Sequence, residues 1–336
     1  MRDNQIDALK GIGIVYVIIG HLQISKIDYS MWSYIYSFHM PLFFFVSGYL
    51  FKRTNAGFDK FISKKAKSIL IPYTVLFVIS LLFGYLIKPL LLDRSAIPEI
   101  DILQIIKAFI FSGGELTTIN LYNFPLWFLP CLFLVEILFW MLSKIKRDMF
   151  FLGTILLIAA ITLPFQMYFL GRPPFHFNVI PAALVFMGIG YLFKKYSKIN
   201  VPLIFVVTAL VSSILIMYNN LGAHIANIKN PINYFTSALL SIMVYYHCVK
   251  SISEKNILVW LGRNSLELFG IHSLVIVTYS YLPLERYFGN FGLISFFIFN
   301  AINIVIICSV IVYGYKKIKS MNGKKEALES NNLKVT

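Results

Sequence analysis

The chain is 336 residues long, 58% apolar and only 13% charged, with a mean hydropathy of +0.74. So few charges cannot cover the surface of a water-soluble protein of this length, so the composition excludes one and makes lipid the solvent for most of the chain. The net charge of +15 does not mark a nucleic-acid binder, because the basic residues sit in short segments between apolar runs rather than on one soluble face.

The first apolar run, 6–24, carries Asp7 and Lys10 in its opening turns and no small-residue cleavage site, so it reads as a retained helix rather than a signal peptide. Asp7, Lys10 and His21 share one stripe of it: eleven residues at about 100° each make three turns plus about 20°. His21 then lies roughly 16 Å along the axis from Lys10, and Asp7 can neutralise Lys10 at i+3. The second run, 35–51, reads Phe38-His39-Met40-Pro41-Leu42-Phe43-Phe44-Phe45 and returns in the opposite direction. It brings His39 to a depth close to that of His21, and Pro41 predicts a kink or an opening turn there. Arg53 falls on nearly the same face at the far end. The basic run Lys64-Lys65-Ala66-Lys67 precedes the third apolar run, 68–92. It reads either as flanking charge that fixes topology or as an anion site.

Between 88 and 123 the segment Ile100–Phe111 predicts a helix lying along the membrane surface over an outward-facing cleft. Further runs follow at 124–143, 149–170, 178–193, 201–219, 231–249, 257–282 and 291–315. Glu136 lies inside the fourth run, and Asn264, Ser265, Glu267 and His272 lie in the ninth. The loops alternate in charge: those holding Lys52 to Lys67, Lys144 to Arg147, Lys194 to Lys198, and Lys250 to Arg263, with the basic tail, form the cytoplasmic set. The sequence therefore predicts an all-α polytopic membrane protein of about ten spans with both termini cytoplasmic. Residues 1–318 form one membrane domain and 319–336 a disordered cytoplasmic tail.

Ionisable groups at bilayer depth need a partner, a cavity or a task. One buried histidine is readily a packing residue. Two at matching depth on consecutive helices, beside Gly20 and Pro41, point to function. His176 and His224 fall in outer loops and His247 at an inner end, where solvation accounts for them. The aromatic stripes, Phe43 to Phe45 and Tyr245-Tyr246 among them, read as lipid-facing or packing residues. Cys131, Cys248 and Cys308 have no paired spacing and read as small core residues. No metal-ligand spacing and no phosphate-binding glycine loop occurs.

At several of these positions the chain resembles the acyltransferase 3 family of membrane O-acyltransferases, and within it the fucose 4-O-acetylase-like branch. The pieces that carry the resemblance are Asp7-Ala8-Leu9-Lys10-Gly11-Ile12 with Gly20-His21, Phe38-His39-Met40-Pro41-Leu42-Phe43-Phe44 with Ser47-Gly48-Tyr49, Leu126-Trp127-Phe128-Leu129, and Leu261-Gly262-Arg263-Asn264-Ser265-Leu266 leading to His272. In that family a basic residue precedes a histidine thought to be catalytic by eleven positions, and a basic cluster after the second helix is linked to acyl-CoA. The resemblance places these on Lys10, His21, and Lys64 with Lys67. Lysines stand here where much of the family has arginine, which keeps the charge and loses bidentate phosphate contacts. Glu136 is displaced from the glutamate that follows the tryptophan more closely in other branches.

The resemblance and the residues together imply a plasma-membrane enzyme, of a bacterial inner membrane, that moves an acyl group, acetyl by default, from acetyl-CoA to a hydroxyl of a cell-surface or lipid-linked glycan. His21 and His39 are the catalytic candidates. Lys10, Arg53, Lys64 and Lys67 are candidates for holding the nucleotide end of the donor, and Glu136, Asn264 and His272 for holding the acceptor. No metal and no nucleic acid is implied. The alternative is a transporter or exporter whose pathway His21, His39, Glu136 and His272 would line, and a third reading is an inactive partner of a glycan synthase.

Overall fold

The computed structural model describes residues 3–22, 28–93, 99–112, 121–166, 173–196, 202–282 and 292–332. Among these residues the regular structure is helical, apart from an isolated bridge between His224 and Asn227. Helix α1 (Asn4–His21) opens where Asp3 accepts hydrogen bonds from the backbone N–H groups of Gln5 and Ile6, and α2 (Tyr29–Leu50) opens the same way at Asp28. Each carboxylate satisfies N–H groups that a helix start otherwise leaves orphaned. The cap at Asp28 starts α2 at Tyr29 rather than at residue 35, and Pro41 therefore lies inside the helix instead of opening it. Pro41 costs the helix one internal hydrogen bond. It is buried, and the neighbouring helices hold the backbone around it.

Next comes a continuous helical stretch: α3 (Phe58–Lys65), a π turn (Ala66–Leu70), α4 (Ile71–Leu82) and a second π segment (Phe83–Asp93). The π turns are local widenings of the helix, of the kind that recur at functional positions. Helix α5 (Ile102–Phe111) packs against α4, with Phe109 against Tyr73 and Phe77 at ring separations of 4.9 and 5.1 Å. Short 3₁₀ turns lead into α6 (Phe128–Leu142) and α8 (Ile180–Tyr196), with α7 (Asp148–Gln166) between them. The order closes with α9 (Leu203–Tyr218), α10 (Pro231–Cys248), α11 (Ile257–Arg263), α12 (Ser265–Ser280) and α13 (Leu293–Asn332).

Among the described residues, five stretches are long and apolar enough to cross a membrane: Phe58–Leu92, Phe124–Leu142, Asp148–Gln166, Pro174–Tyr196 and Ile294–Asn322. The apolar run 257–282, read from sequence as one span, is broken at Asn264 into α11 and α12. Helix α13 continues to Asn332. Cys131 and Cys308 are core residues, whereas Cys248 ends α10 and is exposed.

Glycines set how closely the helices meet. A Cβ on Gly48 would stand 1.8 Å from the carbonyl oxygen of Met187, and one on Gly190 would stand 2.0 Å from that of Phe45. Thus α2 and α8 run antiparallel in backbone contact, with Phe44, Phe45 and Phe186 fully buried beside the crossing. The same close approach joins α1 to α11, where a Cβ on Gly11 would meet the Leu258 carbonyl oxygen at 2.0 Å and one on Gly262 would meet that of Asp7 at 1.6 Å. Gly48→Ala or Gly190→Ala is expected to destabilise the protein by about 1–3 kcal/mol through overpacking. Gly153→Ala, where nothing lies within 4 Å, is expected to be neutral or slightly stabilising because it removes backbone freedom from a helix interior. Thermal unfolding of the purified variants in one detergent reads the difference.

Candidate active site

Helix α1 presents polar groups at both ends. At its first turns Asp7 is buried and receives Lys10 at 2.7 Å and Arg263 Nε at 3.3 Å. Arg263 also donates to Asn4 (3.0 Å) and Glu254 (2.7 Å), so one buried carboxylate and one guanidinium tie α1 to the break between α11 and α12. Asn264 sits in that break; its amide donates to the Trp260 carbonyl at 2.6 Å, and its oxygen accepts from Lys316, which also pairs with Glu267 at 2.8 Å.

At the other end of α1, His21 meets side chains from α2 and α12. Its ring lies 5.3 Å from that of His272 and 6.1 Å from that of Tyr36, and Tyr36 in turn packs edge-on to His39 at 4.8 Å. The antiparallel course of α1 and α2 predicts the common depth of His21 and His39. The structure adds His272 as the direct neighbour of His21, with Tyr36 bridging the two histidines read from sequence. His39 and His272 are buried, and His21 is partly exposed.

The hydrogen bonds fix two of the three rings. Nδ1 of His39 faces the Ile35 carbonyl at 2.7 Å, and Nδ1 of His272 faces the Phe269 carbonyl at 2.8 Å. A carbonyl oxygen only accepts, so both Nδ1 atoms carry the proton, and in the neutral rings Nε2 is left as the acceptor. On His272 that acceptor faces the Ser273 hydroxyl at 3.3 Å. Among the described residues Nδ1 of His21 has the Tyr36 hydroxyl as its hydrogen-bond partner, 3.5 Å away, and that hydroxyl stands equally far from the Gly20 carbonyl. His21 is thus the ring least committed to the protein and the one most open to a ligand. Catalytic hydrogen bonds are commonly this loose before substrate arrives.

The remaining candidates lie elsewhere. Glu136 forms a buried ion pair with Lys65 at 2.6 Å, about 12 Å farther along α6 than Phe128. Arg53 donates to the carbonyls of Ile145 and Lys146, approaches Asp148 at 3.7 Å, and lies over the rings of Phe151 and Tyr191. It holds the loop between α6 and α7 onto α8, so its guanidinium is largely occupied. Lys64 and Lys67 are exposed at the first π turn, on either side of the Lys65 that is drawn inward to Glu136. Among the described residues no group of three or more His, Cys, Asp or Glu is placed to hold a metal ion.

Sequence reasoning missed Tyr36, Ser273 and the burial of His176. Tyr36 precedes His39 by one helical turn, and the repeat Tyr29, Trp32, Tyr36 at three- and four-residue spacing, stacked at 5.5 and 4.4 Å, was the signal available. His176 is buried and packs on Trp127 at 4.8 Å, because the 3₁₀ turn before α8 folds inward instead of looping into solvent.

A family model described as an acyltransferase domain, that of the acyltransferase 3 family, matches residues 3–313. No curated protein and no solved structure matches the chain.

Removing one partner of the Lys65 and Glu136 pair leaves an unpaired buried charge. Lys65→Met is expected to cost roughly 3 kcal/mol, and Lys65→Met with Glu136→Leu is expected to recover most of it. A thermal melt of the two variants beside the parent checks this.

Proposed function

Since the chain belongs to the acyltransferase 3 family, we propose that it is an O-acetyltransferase of the fucose 4-O-acetylase-like branch, with ten spans and both termini in the cytoplasm. It moves an acetyl group from cytoplasmic acetyl-CoA to a hydroxyl of a cell-surface or lipid-linked glycan. The observation that carries the reading is the cluster of His21, Tyr36, His39 and His272 at one end of α1, opposite the end that carries Lys10, Asp7 and Arg263.

His21 acts as the general base. It takes the proton of the acceptor hydroxyl as that oxygen attacks the thioester carbonyl carbon; the C–S bond then breaks, and His21 returns the proton to the departing thiolate. A neutral imidazole suits this task near pH 7 without extreme tuning. The Tyr36 hydroxyl supplies hydrogen bonding to the developing oxyanion, and Nε2 of neutral His39, an acceptor, orients the attacking hydroxyl. His272 holds the ring of His21 in place from the α12 side. Lys64 and Lys67, exposed at the first π turn, suit the phosphates of the donor as point charges, whereas Lys10 and Arg53 act mainly through the protein partners that already engage them. The stacked ladder of Tyr29, Trp32 and Tyr36, which leads to the histidines, offers rigid rings with polar tips to the acceptor.

His21→Ala is expected to slow ester formation by about 10²–10⁴-fold with expression and membrane insertion unchanged, and Tyr36→Phe to lower the rate about a hundredfold. Mass spectrometry of surface glycans from cells with and without the chain reads the first effect as loss of one ester-linked acetyl group. Retention of that group in cells making only the His21→Ala protein contradicts the base assignment. For the donor site, CoA is expected to raise the melting temperature of the purified protein, with the rise lost in the Lys64→Ala/Lys67→Ala double variant. A transporter would respond to sugars and not to CoA.

A further inference from the structure

Away from the histidines, α6, α7, α8 and the 3₁₀ turn before α8 line an apolar groove of about 600 Å³. Leu142, Ile158 and Leu184 line it, and the part along α7 from Ile158 to Gln166 alone is about 12 Å long. Its shape and lining suit a hydrocarbon chain, and α7 lies mostly exposed on the bundle surface, so the groove is reachable sideways from a bilayer.

The polar groups of the groove gather at one end. Gln166 is 6% exposed and Asn178 is 8% exposed. The amide N–H of Gln166 is used by the Ile225 carbonyl at 2.8 Å, and Oδ1 of Asn178 has no hydrogen-bond partner among the described residues. A buried carbonyl oxygen left without a donor is costly and calls for an outside N–H or O–H. Among the described residues that line the groove none is a lysine or arginine, whereas the orphaned Asn178 oxygen asks for a donor, which a sugar hydroxyl supplies. What fits is an amphiphile with a long apolar chain and a hydroxyl-bearing head.

A series of packed rings leads from beside that polar end towards the active site. His176, two residues before Asn178, lies on Trp127 at 4.8 Å; the next residue, Phe128, packs on Phe269 at 5.6 Å, and Phe269 packs on His272 at 5.9 Å.

We propose that this groove holds the hydrocarbon anchor of a glycolipid acceptor, with a hydroxyl of its head group donating to Oδ1 of Asn178. The inference rests on the acyltransferase reading for the word acceptor, and it narrows the acceptor to a membrane-anchored sugar.

The test needs no acyl transfer. The full chain is placed in phosphatidylcholine nanodiscs with a small fraction of glucosyl diacylglycerol carrying a diazirine in its acyl chain, or of phosphatidylcholine carrying the same chain, and the photolabelled peptides are mapped by mass spectrometry. The glycolipid is expected to label the α6, α7 and α8 groove at least about fivefold more than the phospholipid, the value of one hydrogen bond. Asn178→Leu is expected to bring glycolipid labelling down to the phospholipid level, and Leu184→Trp to remove groove labelling by both. Equal labelling of the groove by the two lipids identifies ordinary boundary lipid and overturns the proposal. So does labelling that Asn178→Leu or Leu184→Trp leaves unchanged. If the labelling follows expectation while surface glycans carry no acetyl ester dependent on the chain, the groove stands and the acyltransferase reading falls; the reverse pair of results does the opposite.

Discussion

Gly11 and Gly262 let the backbones of α1 and α11 meet with no side chain between them, and the level of every polar group on α1 follows from that approach. Once Gly262 is seated on Asp7, Arg263 reaches the Asp7 carboxylate and Asn264 breaks the helix. Helix α12 then rises beside α1 from a fixed point. Seven residues after Ser265 it delivers His272 against His21. A side chain at either glycine would move α11 outward and carry the α12 histidine away from its partner. Backbone packing at one end of α1 thus sets the geometry of the imidazoles at the other.

The second constraint is the cost of polarity in an apolar surround. Asp7 is shared by Lys10 and Arg263, and Glu136 is answered by Lys65. These charges have partners close enough to offset much of their desolvation. The histidines follow another rule: neutral rings need only hydrogen bonds, and backbone carbonyls one turn back supply them to His39 and His272. His21 is the exception: among the described residues its hydrogen-bond contact is a long one, to Tyr36.

The pairing of His21 with His39 in depth was legible from two helices of opposite direction, as was the partnership of Asp7 with Lys10 at i+3. The all-helical class followed from the apolar runs of spanning length. Tertiary contacts were not legible. Nothing local to Glu136 names Lys65 as its partner, seventy-one positions earlier in the chain. Nor does anything near Arg53 reveal that carbonyls after α6 would occupy it. Of the two readings of Pro41 the opening turn is excluded, because the cap at Asp28 starts α2 twelve residues earlier, at Tyr29, and the helix runs through the proline. His176 misled because a residue between two spans reads as solvated, and the inward fold of its 3₁₀ turn depends on Trp127.

The central claim is that the imidazoles of α1 and α12 act as one unit. The most direct measurement is a double-mutant cycle on the initial rate of acetyl ester formation, in membrane vesicles supplied with acetyl-CoA, using His21→Ala, His272→Ala and the double variant. If the two rings share one task, the double variant is expected to be hardly slower than His21→Ala alone. Rate losses that multiply would mean that the rings act independently, and would contradict the account.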